Sequence, residues 1–559
     1  MNKLYYGDCL TIMQDMPMGS VDLVYLDPPF NSNQEYSAIY EDETGRPLPD
    51  QIEAFNDLWT LDEERERSIR HMPILMRDAG VDDDIAEFWR FWVNALRKAN
   101  PKLLAYLSYM TERLLPLRSI VKPTGSIYLH CDPTASHYIK VMMDAIFGHD
   151  NFRNEVIWKR TESHGRAKKW GPIHDTLLFY TRSKHYTWNR VYQPYNESYI
   201  KSHYNQNDSH GQYRTVTLDG PGVRGGSSGL PWRGVDPSEK GRHWELPPDR
   251  ALPGWFRHPE GYSDMTVQER LDVLDGAGLI YWPPRGKLPA YKRYLSVAQG
   301  TQVQDIITDI DAVNSQSKER LGYATQKPVA LMERIISASS NEGDVVLDPF
   351  CGCASTIEAA QNLKRRWIGI DIAIHAIKRV AKVRLEDKLG LEEGIDFEIR
   401  GIPKSFEGAQ DLWTYDKHHF QKWAIEQVDG FVTTKKTGDG GIDGRLYFEL
   451  PGAQSLRSML LEVKGGKNVG ISVVRDLRGT LEREGAELAG LIVMDDLGPR
   501  KTANFHSEMA QAGDLEVSGV LYPRMQMLTI PEILEGKRFA TPSVAKGKIQ
   551  TRQPQLPFG

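Results

Sequence analysis

The sequence predicts an α/β protein: an open sheet with flanking helices, followed by a second, smaller α/β domain. Short apolar runs at Val21–Leu26, Ser126–Cys131, Asp344–Leu347 and Arg366–Ile370 each stop at an acid, namely Asp27, Asp132, Asp348 and Asp371. Helical spacing of apolar residues fills much of the chain between them. Ligand sites of open α/β sheets lie at the carboxyl ends of strands, so these acids stand where chemistry is expected. A chain of 559 residues also exceeds what one hydrophobic core supports, and about two to four domains are expected.

Composition narrows the class. Hydrophobic residues make up 40% and charged residues 26% of the chain, ordinary values for a globular protein. The formal net charge of −6 gives no global nucleic-acid signature, so a DNA-binding face, if the chain has one, must be local. Cys9, Cys131, Cys351 and Cys353 form no Cys-x-x-Cys pair, which argues against structural zinc and fits a reducing cytosol. The start of the chain has no signal-peptide pattern, and no apolar run approaches the ~18 residues of a membrane span. A soluble, cytoplasmic protein with no membrane partner is expected.

Taken in order, Lys3–Tyr6 reads as a strand ending at Gly7-Asp8, Leu10–Met16 as a helix, and Val21–Leu26 as a buried strand. That strand runs into Asp27-Pro28-Pro29-Phe30, and proline cannot donate to a sheet ladder, so the strand stops at Asp27. What remains is a carboxylate at a strand end, a stiff two-proline floor and an aromatic ring. An Asp that merely caps the next turn fits this stretch equally well. Asn31 to Val81 is polar and acidic and reads as a long loop with short helices. Phe88 to Val121 gives two helices interrupted near Pro101, and Lys122-Pro123-Thr124-Gly125 a turn. His137–Phe147 follows as a helix, with strands at Glu155–Lys159 and Asp175–Thr181.

From Arg153 to Arg214 eleven Lys and Arg face five Asp and Glu, a local net of +6, with Trp158, Trp170, Tyr180, Tyr186, Trp188, Tyr192 and Tyr195 interleaved. Basic residues meet phosphates and aromatic faces stack on bases. A solvated basic face over core aromatics explains the same pattern. Arg160, Arg166, Lys168 and Lys169 are the candidate DNA contacts. Asp219–Pro284, rich in Gly, Pro and Trp, reads as irregular recognition loops.

Gln326-Lys327-Pro328 precedes a helix over Val329–Ser339. The strand Asp344–Leu347 leads into Asp348-Pro349-Phe350-Cys351-Gly352-Cys353-Ala354-Ser355, then a helix to Leu363. A glycine-containing turn between strand and helix lets a small ligand lie against the helix N-terminus. The turn is neither Gly-x-Gly-x-x-Gly nor a Walker loop, which disfavours a dinucleotide dehydrogenase. Asp371 lies at the end of the next strand, where nucleotide-binding sheets place an acid on ribose hydroxyls. A nucleoside ligand without phosphates fits.

Asp-Pro-Pro-Phe together with Asp-Pro-Phe-x-Gly resembles the motif pair of the amino-methyltransferases of DNA, and its order, catalytic motif before cofactor motif, is similar to their β class. Gly125–Asp132, His174–Tyr180 and Gln326-Lys327-Pro328 match as well, and the resemblance covers most of residues 1–390. Cys353-Ala354-Ser355 departs from it, because many members carry another glycine and a threonine there. The resemblance implies a permuted Rossmann-like sheet over 1–390, with a target-recognition insert at about 153–320 and double-stranded DNA as substrate. It implies S-adenosyl-L-methionine as cofactor, held by Asp8, Gln326, Lys327, Pro328, Asp348, Pro349, Phe350, Gly352, Ser355 and Asp371. Asp27, Pro28, Pro29 and Phe30 would carry out methyl transfer, with adenine N6 favoured because the first motif residue is Asp rather than Ser. The layout implies a sheet running cofactor strand, ribose strand, Lys3 strand, Val21 strand, with the two ends of this domain close together. A homodimer is compatible with this reading.

Leu389–Ala409 is glycine-dotted and acidic, and 391–410 is expected to be a linker. An amphipathic helix at Trp413–Gln427 opens a last domain at 411–536, and the basic tail 537–559 is expected to be disordered. In this domain Gly438–Gly444 leads into a strand at Arg445–Leu450, and Ser458–Lys464 forms another. Alternation puts Glu462 and Lys464 on one strand face, which Asp443 can approach from the neighbouring strand. An ordinary polar strand face fits Glu462 and Lys464 alone. With Gly-Gly-Ile-Asp upstream, the set resembles the Mrr-like branch of the PD-(D/E)XK nucleases. That resemblance implies Mg²⁺ held by Asp443 and Glu462, Lys464 polarising water, and Glu426 as an auxiliary acid.

Overall fold

A computed structural model describes residues 1–29, 59, 61–133, 135–162, 170–283, 288–314, 317, 319–320, 326–374, 376–432, 442–450, 457–466 and 469–542, without the side chains of Glu64 and Arg379. Phe30, Arg166, Lys168, Lys169, Gly438–Gly441 and the tail from 543 onward lie outside the described residues. The chain divides into a unit formed by residues 1–189 with 305–559 and a unit formed by 190–304. Among the described residues no helix is long and apolar enough to cross a membrane.

The larger unit is organised on a nine-stranded sheet. Its strands are β1 (Asn2–Tyr6), β2 (Val21–Leu26), β3 (Val121–Cys131), β4 (Phe152–Lys159), β5 (His174–Thr181), β6 (Ile306–Ile307), β7 (Val345–Asp348), β8 (Arg366–Asp371) and β9 (Phe397–Arg400). They lie in the order β6-β4-β5-β3-β2-β7-β8-β1-β9. All six residues of β2 and all four of β7 are buried, as a parallel strand covered on both faces requires. Only β5 runs antiparallel to its neighbours, β3 and β4.

This order corrects the expected one. The Val21 strand does not follow the Lys3 strand in space; β2 pairs with β7 (Leu23 opposite Val346), and β1 pairs with β8 on the far side (Lys3 opposite Ile368). The sheet therefore reverses its winding at β7 and β2, the kind of switch point at which α/β sheets open a ligand crevice. Residues 391–410 are not a free linker either, because β9 pairs with β1 at Asn2–Phe397 and brings the start of the chain beside residues that follow the cofactor motif.

Helices cover both faces. They are α1 (Cys9–Gln14), α2 (Glu63–Asp78), α3 (Asp83–Ala99), α4 (Pro101–Ile120), α5 (Ser136–Phe147), α6 (Val329–Ser339) and α7 (Ser355–Asn362). The α3–α4 break falls at Asn100-Pro101, as the sequence predicts: Asn100 caps α4 through Leu103 N, and proline occupies the first turn where its missing N–H costs nothing. Glu63–Asp78 is one helix of 16 residues rather than short pieces in a loop, capped by Asp62 on Arg65 N. Nor do Lys122–Gly125 form a turn; they continue β3, with the register against β2 shifting between Val121 and Ser126. At Gly125 a Cβ would lie 2.8 Å from the Asp22 carbonyl oxygen, so the strand's irregularity depends on glycine there.

Beyond β9 the expected single helix is two, α8 (Phe406–Tyr415) and α9 (Lys417–Gln427), because Asp416 leaves the helical conformation and caps the second through His419 N. They lead into a five-stranded sheet of β10 (Phe431–Val432), β11 (Gly444–Phe448), β12 (Arg457–Lys464), β13 (Leu488–Val493) and β14 (Met525–Thr529), in that order. Helices α10 (Ser472–Arg483) and α11 (Pro499–Ala510) complete it. Residues 537–542 are ordered against this sheet: Phe539 is buried, and Gln526 and Ala540 exchange hydrogen bonds of 2.7 Å.

The smaller unit holds an antiparallel four-stranded sheet, in the order Ile280–Tyr281, Ala290–Tyr294, Gly211–Thr217, Gln206–Asp208. Its core is aromatic, with Tyr213, Trp232, Trp244, Tyr291 and Tyr294 buried together with Leu271 and Leu274 of a helix at Val267–Gly276. The stretch expected to be irregular loops therefore contributes much of a core.

Candidate active site

Four acids stand at the carboxyl ends of four neighbouring strands. Asp27 follows β2, Asp348 ends β7, Asp371 ends β8 and Asp8 follows β1 by one residue. Asp348 is the most enclosed. Its Oδ1 accepts from Phe350 N at 3.0 Å, and burial, with the charges of Asp27 and Asp371 adding to it, pushes its carboxyl up to about 7. Asp371 clamps the turn that follows β7: Oδ2 accepts from Gly352 N and Oδ1 from Ala373 N, each at 2.8 Å. Burial raises its carboxyl to about 6 against those hydrogen bonds. Gly352 has φ +46° and Ala354 φ +60°, so two of three consecutive residues take the left-handed conformation that lets backbone amides turn inward. Ala354 takes glycine's conformation at the departure seen in the sequence, and its methyl is buried in the core with Ile357.

A crevice ringed by carboxylates repels phosphates and favours a cation. S-adenosyl-L-methionine carries a sulfonium and an ammonium beside a ribose, so these residues fit it. Asp371 keeps acceptor capacity for a hydroxyl, although part of it holds the loop. Asp8 is less open: it accepts from Leu10 N at 2.9 Å, and both its oxygens lie 2.9 Å from Nη2 of the buried Arg113. Ser355 opens α7, and its hydroxyl accepts from Arg384 Nη1 at 3.2 Å. Arg384 is fully buried and also pairs with Glu358 at 2.9 Å. Phe350 is half-buried beside Tyr109, with ring centroids 6.5 Å apart.

Gln326 and Lys327 separate in role. Gln326 Nε2 donates to the Glu319 carbonyl at 2.7 Å, and Pro328 caps α6. Lys327 reaches across the crevice, with Nζ 2.7 Å from Oδ1 and 2.6 Å from Oδ2 of Asp27. Pro28 is buried and Pro29 half-buried.

The sequence reading missed a buried chain of polar groups next to Asp27. The Tyr25 hydroxyl lies 2.7 Å from His130 Nδ1, and His130 Nε2 lies 3.1 Å from Asp175 Oδ2. Burial disfavours the Asp175 charge, yet the His130 hydrogen bond and the His130, Arg160 and Lys327 charges hold its carboxyl below the usual range. Arg160 Nε is 3.1 Å from Asp175, and the Arg160 side chain is half exposed. A histidine inside an otherwise apolar run, Ser126–Cys131, was the available signal. The interleaved aromatics split between the two readings: Trp158 and Tyr180 are buried, whereas Trp170 is 98% exposed.

A second acidic cluster lies on β11 and β12. Asp443 N donates to the Leu461 carbonyl at 2.9 Å, and Asp443 Oδ2 accepts from Val463 N at 2.7 Å. Glu462 Oε1 is 2.8 Å from Lys464 Nζ. Burial raises the Glu462 carboxyl, Lys464 opposes this, and Asp443 and Asp476 of α10 add to it. The charge of Asp476, which the sequence reading did not include, reaches Glu462. Two carboxylate oxygens with water are a fit donor set for Mg²⁺. Among the described residues, however, no three His, Cys, Asp or Glu side chains converge closely enough to hold a metal by themselves. Glu426 is not here. It packs under the first site, its Oε2 3.4 Å from the Tyr6 hydroxyl, and burial pushes it up to about 8.

The N6/N4 methyltransferase family model, described as a DNA methylase, matches residues 21–382. The chain is 35% identical over 279 residues to the Type II methyltransferase M.EcaI of Enterobacter cloacae, covering 50% of this chain and 57% of that one. It is 21% identical over 552 residues to the Mod subunit of the Type III restriction-modification enzyme EcoP15I of Escherichia coli, covering 83% and 79%. Of the first curated relatives it matches, the chain spans 57% and 48% of the length. A solved protein from Thermus thermophilus, TTHA0409, complexed with S-adenosyl-L-methionine, is 14% identical with a TM-score of 0.32, covering 71% of this chain and 98% of that one.

Proposed function

The chain belongs to the N6/N4 DNA methylase family, and from that premise we propose that it transfers a methyl group from S-adenosyl-L-methionine to adenine N6 at a specific site in double-stranded DNA. The observation that carries this reading is the pairing of β2 with β7, which sets Asp27 beside the Asp348–Ser355 turn. An exocyclic amine is a poor nucleophile because its lone pair is delocalised into the ring. Asp27 and the Pro28 carbonyl accept its two hydrogens and draw the lone pair toward the crevice. The base reaches Asp27 only when flipped out of the duplex. When bound, the sulfonium supplies an electrophilic methyl carbon whose bond to sulfur breaks, the electron pair staying on sulfur, as the bond to nitrogen forms. Asp27 takes the proton that the methylated nitrogen then sheds and passes it to solvent. The protein's contribution is position and charge rather than covalent chemistry.

The family covers both N6 and N4 targets, and Asp rather than Ser at position 27 favours adenine. Methylation-aware sequencing of DNA from cells expressing the protein tests this directly. N6-methyladenine in one fixed motif is expected; N4-methylcytosine would change the base, and unmodified DNA would overturn the reading.

For the second cluster the reading is a metal-dependent DNA nuclease in a restriction–modification or phage-defence role, supported by the convergence of Asp443, Glu462 and Lys464. Asp443 and Glu462 would hold Mg²⁺, which supplies Lewis-acid activation of a phosphodiester, and Lys464 would orient water. A silent, DNA-binding domain is the second reading. It is favoured by the backbone hydrogen bond that already occupies Asp443 Oδ2.

A further inference from the structure

We propose that Lys327 is the positioning residue of Asp27 and not a wall of the cofactor pocket. The inference rests on the methyltransferase reading above and deepens it. Lys327 comes from a loop 300 residues away in sequence, yet its ammonium straddles both Asp27 oxygens, at 2.7 and 2.6 Å. The two side chains are only 9% and 17% exposed, so water screens the pair little. Each carboxylate oxygen offers about two acceptor directions, and Lys327 takes one on each, leaving one on each for an amine hydrogen.

The Lys327 charge also acts beyond Asp27. Asp175 feels its charge, and Asp175 is tied to His130 at 3.1 Å and through it to Tyr25, two residues before Asp27 on the same strand. Gln326 and Pro328 anchor the flanking backbone to Glu319 and to the start of α6. The anchored backbone fixes where the ammonium can reach, and its hold on both Asp27 oxygens opposes rotation of the Asp27 carboxylate.

This arrangement sets the order of events at the amine. With Lys327 donating to both its oxygens, Asp27 meets the amine as a hydrogen-bond acceptor, and a neutral ring amine is too weak an acid to give its proton to a carboxylate. The N–H proton therefore leaves only after the nitrogen–carbon bond has formed and the nitrogen is cationic. It goes to Asp27 and then to solvent, while the carbon–sulfur electron pair remains on sulfur.

The test uses full-length Lys327→Met and Lys327→Arg proteins with duplex DNA containing the mapped site. Two quantities are compared: the single-turnover methyl-transfer rate at saturating S-adenosyl-L-methionine, and the dissociation constant of that cofactor. For Lys327→Met the rate should fall about 100-fold or more, the loss typical of removing a preorganised electrostatic group. The dissociation constant should stay within about threefold, and Lys327→Arg, which keeps the charge, should recover most of the rate. If Lys327→Met does not fold, Lys327→Gln reads the same loss of charge. A weakened cofactor affinity with an unchanged saturated rate overturns the proposal and returns Lys327 to the cofactor pocket. Wild-type protein that methylates no DNA overturns the methyltransferase reading and this proposal with it, whereas active wild type with an unaffected Lys327→Met overturns this proposal alone.

Discussion

At the strand-end crevice four carboxylates come from four adjacent strands of one sheet, and a buried lysine meets Asp27. At the β11–β12 cluster two carboxylates and a lysine share two strands, one oxygen is spent on backbone, and a further acid whose charge reaches Glu462, Asp476, comes from a helix. Both sites concentrate negative charge in a partly buried place. They differ in how much of that charge the protein neutralises itself. In the crevice, among the described residues, Asp27 and Asp8 have dedicated cations, Lys327 and Arg113, while Asp348 and Asp371 lean on backbone amides. A cationic ligand completes that charge balance. The second cluster already pairs Glu462 with Lys464, so its demand for a cation is weaker. The difference teaches that acid count alone does not announce a site; the unneutralised remainder does.

The comparison breaks first at Asp27. Asp27→Ala should lower methyl transfer by at least ~100-fold in a radiolabel-transfer assay while calorimetry still registers cofactor binding. Equal loss of both would mean that Asp27 belongs to the binding crevice instead. Because Asp27→Ala also strands the Lys327 charge, the isosteric Asp27→Asn should be made beside it.

For the second cluster, Asp443→Ala or Lys464→Ala should abolish Mg²⁺-dependent nicking of plasmid DNA, a loss of about 100-fold or more, with methylation unchanged. Wild-type protein that cuts neither methylated nor unmethylated DNA with Mg²⁺ or Mn²⁺ would establish the silent reading.

A pH series sharpens the charge argument. Asp348, held at about 7, binds a cation best when ionised, so the cofactor's dissociation constant should fall by up to about tenfold between pH 6 and pH 8. Asp348→Asn should flatten that dependence.

The smallest effect concerns Glu426, whose carboxyl rises from 4.5 to about 8 by burial under the crevice. It is protonated in folded and unfolded chains at low pH. As pH rises from about 4.5 through about 8 the unfolded form ionises first, so stability falls across that window. Glu426→Gln should remove the fall and stabilise the protein at pH 9 by roughly 1–3 kcal/mol, measured as unfolding midpoints at pH 5 and pH 9.

Glu426 also shows where sequence reading ran out. It lies on α9, close to the second cluster in the chain's order, and was assigned there. In space α9 packs its Glu426 side toward Tyr6, while Ile425 of the same helix lies against Gly444 of β11. Likewise Trp413 of α8 covers Gly465, where a Cβ would come 2.3 Å from its ring, directly after Lys464. One helical hairpin thus touches the neighbourhood of both sites, and no local periodicity reports which face meets which sheet.

By itself the sequence determined where several strands and helices end and which acids stand at those ends. Apolar runs stopped by Asp27, Asp348 and Asp371, the helix break at Pro101, and alternation across Glu462-Val463-Lys464 are local facts, set by side-chain period and by proline's missing donor. Only the tertiary structure decided strand order, and with it the meeting of Asp27 with Asp348 across β2 and β7. It also decided that Lys327 pairs with Asp27, that His130 joins Tyr25 to Asp175, and that Arg113 pairs with Asp8. Such pairings depend on distances between segments up to about 300 residues apart, which packing sets and spacing along the chain does not.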